Sequence, residues 1–148
     1  MKAISLWQPW ASLWVAGPKV HETRGWPTKV RGWVLVHAAK HKTRLSETTP
    51  ELAALTGRTR GYSLPYGALI GAVNIIDCWE TDNCGWRNSD DHTCGNWADG
   101  RFAWMRDDKR VSFDNPIPYR GRQGFFDVPI DLTLPAAALN QLNRAGAL

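Results

Sequence analysis

Cys78, Cys84 and Cys94 are the only cysteines in 148 residues. An odd number does not suit a closed disulfide framework and fits a reducing compartment. No two of them form the C-x-x-C pair that makes a zinc site legible, so Cys78, Cys84, His92 and Cys94 offer zinc-compatible chemistry without a zinc pattern. Neither metal nor cofactor is expected. Long apolar runs are also missing: the opening stretch is broken by Gln8 and Pro9, well short of the ~18 residues of a membrane span, and it does not read as a signal peptide. The expectation is a soluble, cytoplasmic protein with no membrane partner. With no internal repeat and no low-complexity linker, residues 1–148 read as a single domain, long enough to bury roughly two thirds of its unfolded surface.

Tryptophan is abundant, with nine residues against three tyrosines and four phenylalanines, well above ordinary usage. Indoles build cores and also serve as platforms for nucleobases. Charge is uneven. Residues 1–62 hold ten Lys and Arg against three Glu, a net +7, whereas residues 63–148 hold eight against eleven Asp and Glu, a net −3. Lys29, Arg31, Lys40, Lys42, Arg44, Arg58 and Arg60 in the basic half can follow phosphates, or simply decorate a solvated face.

The pattern predicts a strand at Lys2–Leu6 and a helix over about Pro9 to Ala16, with Pro9 at a tolerated first position and Gly17 as a C-cap. A strand carrying Glu22 and Arg24 follows, and another at Trp33–Ala38 whose apolar run suits burial on both faces. Thr49-Pro50-Glu51 opens a helix that Gly57 closes. Ala68–Asp77 is the strongest strand, residues 79–100 form a long polar excursion, and two late strands lie at Arg101–Arg106 and Gly124–Ile130. Asn115-Pro116-Ile117-Pro118 reads as a stiff connection between those two, and Pro135 starts a final helix. Many strands and few helices, without βα alternation, argue for a mainly β (α+β) fold with flanking helices, closed as a small barrel.

Gly17-Pro18-Lys19-Val20-His21-Glu22-Thr23-Arg24 packs an ammonium, a carboxylate and a guanidinium into six residues behind the first helix. Strict alternation puts Glu22 and Arg24 on one face and Lys19, His21 and Thr23 on the other. A shared site therefore requires a break at the strand entry, which Gly17 and Pro18 permit. The plainer alternative is a salt bridge between Glu22 and Arg24, with Lys19 favoured at the helix end by the helix dipole.

Gly17, Lys19, Glu22 and Arg24 match the G-x-K-x-x-E-x-R signature of the ASCH domain, and the chain resembles that branch of the PUA-like superfamily. Ile4-Ser5-Leu6-Trp7-Gln8-Pro9-Trp10-Ala11, Val34–Lys40, Gly67–Gly71 and Arg120-Gly121-Arg122-Gln123-Gly124-Phe125-Phe126 are similar to the family in the same order. The resemblance implies a pseudo-β-barrel flanked by helices, with a cleft bordered by the signature and with RNA or a nucleoside as partner. Some small members are similar to amidohydrolases that remove an acyl group from N4 of cytidine, and another branch looks like a metal-dependent ribonuclease. In those amidohydrolases a threonine follows the lysine by three positions, where this chain has Glu22. Thr23 is adjacent but faces the other way on a regular strand, which puts the acyl-threonine route in question.

The expected activity is N4-acylcytidine amidohydrolysis, with Lys19 and Glu22 transferring protons and Arg24 anchoring the substrate. Gln8 is a candidate reader of a pyrimidine edge or, equally, a helix cap. Trp10, Trp26 and Trp104 are candidates for base stacking, while Trp14 and Trp33 are assigned to packing. His37, on an apolar strand, reads as a hydrogen-bonded core histidine. The alternatives are a nonenzymatic RNA-binding module and a ribonuclease in which Lys19 and Arg24 stabilise phosphate charge.

Overall fold

Strand β1, Lys2–Leu6, starts the sheet, and its alternation serves two cores: Ile4 and Leu6 join one apolar cluster, Ala3 the other. The computed structural model describes residues 1–60, 63–83 and 89–148. Helix α1, Trp10–Ala16, follows at once. Its free N-terminal donor is met by Gln8, whose Oε1 accepts from the Ser12 amide at 3.0 Å, because Pro9 has no side-chain acceptor to offer. Gly17 is the C-cap, as expected, its N–H donating to Leu13 O, and its backbone is extended, at φ −107° and ψ −163°. Glycine is required there because a Cβ would lie 2.9 Å from Leu13 Cδ2 and from Thr59 Oγ1.

The cations at the end of α1 are Arg106 and Arg110, whose Nη1 donates to Gly17 O at 2.5 Å, and not Lys19. Arg106 makes the wider set of contacts. Its Nε donates to Trp14 O and Lys19 O at 3.0 Å each, and its Nη2 to Gly17 O at 3.4 Å. Charge and hydrogen bonding both satisfy carbonyls that a helix C-terminus leaves unpaired.

Strands β2 (His21–Arg24), β3 (Gly32–Ala38), β4 (Ala68–Glu80), β5 (Phe102–Pro118) and β6 (Phe125–Asp127) complete one six-stranded sheet in the order β2-β5-β4-β3-β1-β6. Only β1 and β3 are parallel among these pairings. Register breaks between Leu69 and Gly71, Val73 and Ile75, and Ile75 and Asp77 interrupt the long β4–β5 ladder. Each break bends the strands and increases twist, so the sheet curls into an open half-barrel with helices against it.

Several expected boundaries move. Strand β5 continues to Pro118, so Arg101–Arg106 is only its beginning and Asn115–Pro118 is its end rather than a connection. Beyond the bond from Arg106 N to Val20 O no strand pairs with β5 on the side of β2, and a missing proline N–H costs nothing on an open edge. Helix α2, Pro50–Arg60, runs through Gly57, with Thr49 Oγ1 accepting from Leu52 N at 3.2 Å. The segment 124–130 supplies only the short β6, followed by α4, Ile130–Thr133. Within the 79–100 excursion, β4 reaches Glu80 and a short helix, α3, spans Asp90–Thr93.

The two cores lie on opposite faces of the sheet. One gathers Trp14, Val15, Val34, Ile70 and Trp104 under α1. The other gathers Leu35, Leu69, Phe113 and Phe126 under α5, Ala136–Arg144, through Ala138 and Leu142. That double coverage explains the unbroken apolar run of β3.

Candidate functional site

Lys19 precedes the first residue of β2, so strand alternation does not constrain it. Its chain turns back and its ammonium, on a side chain only 1% exposed, donates to His21 O at 2.7 Å and Cys94 O at 2.8 Å and lies 3.2 Å from Glu22 Oε2. Glu22 Oε1 in turn accepts from Arg24 Nε at 3.0 Å, and Arg24 Nη2 donates to Ser5 O at 2.9 Å. The ammonium, carboxylate and guanidinium therefore converge as one network with Glu22 at its centre. Two cations around one carboxylate offset the cost of burying each charge, and backbone carbonyls take the remaining donors.

Strand β2 is an edge, and residues 89–101 cover it. Asp91 Oδ1 accepts from the amides of Val20 and His21 at 2.6 and 2.9 Å, and Asp91 Oδ2 lies 2.7 Å from His21 Nδ1. Burial pushes the Asp91 carboxyl upward, but the His21 side chain and those two amides outweigh it and hold it below the ordinary value. Thr23 Oγ1 accepts from Asn96 N at 3.0 Å, and Arg101 Nη2 donates to Thr23 O at 3.1 Å. Unpaired edge groups are a liability that natural sheets cover in this way.

Two cavities flank the network. The larger, about 1280 Å³, is lined by Trp7, Arg24, Trp26, Lys40, Arg120 and Arg122 among others. A smaller one, about 280 Å³, is lined by Lys19, Glu22, Thr23, Trp10 and Cys94 among others. Lys19 and Glu22 thus face one cavity and Arg24 the other. Thr23 shares a cavity with Lys19 and Glu22 although it lies on the opposite strand face, because that cavity opens over the edge of β2.

Gln8 lines neither cavity. Its Nε2 donates to Ser12 Oγ at 2.8 Å and Pro65 O at 2.9 Å, so its amide is consumed by capping α1 and tying down a loop. Trp104 is fully buried, 5.4 Å from Phe125 in a stack, edge-on to Trp26, and beneath the Arg24 guanidinium at 5.7 Å. It positions Arg24 and Trp26 without reaching either cavity. Trp26 is 39% exposed in the larger cavity, and Trp10 borders the smaller one. Trp14 and Trp33 pack against the two cores.

Of the zinc-compatible residues, Cys84 lies outside the described residues. Cys94 is buried, and desolvation, aided by Asp91 and Asp90 against the opposing pull of Lys19, pushes its thiol up to about 11. Cys78 Sγ sits 3.5 Å from Thr28 N. No three His, Cys, Asp or Glu among the described residues converge on a point that could hold a metal ion.

Arg120 and Arg122 are not singled out as site residues by the sequence, and Trp7, near the first helix, is one of several tryptophans that could roof a cleft. Trp7 is 50% exposed and stacks on His41 at 3.9 Å. The local signal for the arginines is Arg-Gly-Arg between a proline-ended strand and Phe125-Phe126, a basic turn at the mouth of the sheet. His37 is 2% exposed, with Nδ1 2.9 Å from Ser5 Oγ and Nε2 2.9 Å from Tyr119 O. Burial lowers its pKa, against a smaller upward pull from the Tyr119 carbonyl.

A curled, open sheet with helices against it and a charged cleft at its end is a PUA-like pseudo-barrel. The ASCH domain model matches residues 4–109, more than half of the chain, and the protein belongs to that family. It is 40% identical over 81 residues to Activating signal cointegrator 1 of Homo sapiens, and equally to that of Mus musculus; the match covers 51% of this chain but only 14% of either relative. Its backbone is similar to the crystal structure of ASCH from Zymomonas mobilis, with a TM-score of 0.55 at 14% identity over 97% of this chain and 93% of the other. That likeness is one of fold. No helix among the described residues is long and apolar enough to cross a membrane.

Proposed function

We propose that the larger cavity binds a short single-stranded segment of RNA, with guanidinium and ammonium groups on its phosphates and indoles on its bases. The supporting observation is one cavity of about 1280 Å³ lined by Arg24, Lys40, Arg120 and Arg122 together with the exposed Trp7 and Trp26, and by no carboxylate among the described residues. Cations supply salt-dependent affinity for phosphate, and aromatic faces stack any base at about 1–3 kcal/mol each. Family membership is consistent with RNA- or nucleoside-related activity. Titrating a fluorescent oligoribonucleotide against the protein at several salt concentrations tests this. Binding that weakens steeply with salt and is lost on Trp26→Ala supports the reading; binding indifferent to salt, or none at low salt, overturns it.

A second reading, N4-acylcytidine amidohydrolysis at the smaller cavity, draws on one atom. Glu22 Oε2 is buried and has no aligned hydrogen-bond donor, only the Lys19 charge at 3.2 Å. A carboxylate oxygen in that state can accept a proton from water. Lys19 is less available, since its ammonium already serves two carbonyls and Glu22. The cavity, at about 280 Å³, has room for a base or acyl group but falls below the ~300–1,000 Å³ of whole-ligand sites. Release of cytidine from N4-acetylcytidine, followed by ultraviolet absorbance and abolished by Glu22→Gln, is the expected result; turnover unchanged in that variant removes Glu22 from the chemistry.

A further inference from the structure

Ser5 and His37 lie side by side on the parallel pair β1–β3, in register, and both line the larger cavity. Ser5 Oγ and His37 Nδ1 are 2.9 Å apart, and His37 Nε2 is 2.9 Å from Tyr119 O. A carbonyl oxygen can only accept, so Nε2 carries the proton and Nδ1 is left as an acceptor. The serine hydroxyl therefore donates to the imidazole. A base holding a serine proton, itself oriented by a third group, is the arrangement that activates a serine nucleophile. The β3–β4 register breaks between Val36 and His37, and such bulges re-aim a side chain. The Arg24 guanidinium, on Ser5 O at 2.9 Å, brings positive charge beside the hydroxyl.

We propose that Ser5 and His37 form a nucleophile–base pair that hydrolyses small acyl esters bearing an anionic group, with Arg120 and Arg122 holding the anion. Ser5 Oγ attacks the acyl carbonyl as its proton passes to His37 Nδ1. Collapse of the tetrahedral intermediate breaks the bond to the leaving oxygen, which takes that proton and departs as the alcohol. Water, deprotonated by the same nitrogen, attacks the acyl-serine, releasing the carboxylic acid and returning the proton to Ser5. Neither oxidant nor metal enters the balance. This chemistry goes beyond RNA binding and does not require it, although both would use one cavity.

Gly121 supplies a variant that keeps both groups but crowds them. A Cβ there would stand 2.6 Å from Ser5 Oγ and 2.4 Å from His37 Cε1, obstructing the hydroxyl. The test is covalent labelling by a fluorophosphonate, with the adduct located by peptide mass spectrometry and folding checked by thermal melting. One adduct on Ser5, lost in Ser5→Ala and slowed at least tenfold in His37→Gln and Gly121→Ala, is expected. No adduct in folded wild-type protein, an adduct elsewhere, or equal labelling of His37→Gln and wild type overturns the proposal. RNA binding, read separately, leaves each of these outcomes unaffected.

Discussion

Lys19 donates to the carbonyl of Cys94 at 2.8 Å across 75 positions of sequence, fastening residues 89–101 to the open edge of β2. The same ammonium serves His21 O and Glu22. Its first role is to hold a cover in place, whatever chemistry the adjoining cavity performs.

Replacing Lys19 by methionine keeps the bulk and removes the charge. Two carbonyls then lose a donor, and Glu22 keeps only Arg24 as an ion partner. Breaking a buried pair from one side costs about 3–5 kcal/mol. Urea denaturation is expected to show a loss of that order, and hydrogen exchange to quicken across 89–101.

Acid should loosen the same cover through Asp91. Its carboxyl is held below the ordinary value in the folded protein, so the native state favours the ionised form. The stabilisation is complete above the ordinary aspartate pKa of about 4 and is lost as pH falls through the lower folded value. Amide exchange at Val20 and His21, whose N–H groups bond Asp91, should become less protected in that range. In Asp91→Asn the protection should be reduced already at neutral pH and change little on acidification.

Arg106→Ala should destabilise without touching either cavity. The guanidinium is buried and bonds the carbonyls of Trp14, Lys19, Gly17 and Asp107. Hydrogen bonds to charged groups are worth about 1.5–3 kcal/mol each, and orphaned carbonyls add a desolvation cost. A loss of about 3 kcal/mol or more in chemical denaturation is expected, and Arg106→Lys should recover only part of it because an ammonium cannot fork.

Arg120→Ala with Arg122→Ala should weaken RNA binding while sparing the fold. Both belong to the exposed turn at the mouth of the larger cavity. Removing two phosphate contacts should flatten the slope of log affinity against log salt by about 1.4, at about 0.7 per contact on single strands. Melting temperature is expected to stay constant.

Much of the scaffold is legible in linear order. Lys2–Leu6 was bounded correctly by its apolar and β-branched residues, and Pro135 marked the start of the last helix. Boundaries failed where tertiary context overrode local chemistry. Gly57 did not stop α2, and Pro116 and Pro118 did not stop β5, because the open edge there needs no amide donor. The family signature identified the trio, but the helix-end place that the plainer alternative gave to Lys19 belongs to Arg106 and Arg110, both residues of β5.

The sequence by itself determined, through the family signature, which three charged residues belong together, and, through an unbroken apolar run, that β3 is buried on both faces, whereas the need for glycine at Gly17 comes from the approach of Leu13 and Thr59 in the folded chain. Only the folded chain decided that Arg24 opens on one cavity while Lys19 and Glu22 open on another, and that Ser5 meets His37. The physical reason is that these choices rest on backbone carbonyls such as those of Cys94, Ser5 and Tyr119. Every residue carries that acceptor, so nothing in a side-chain pattern reveals which one a distant cation or imidazole will meet.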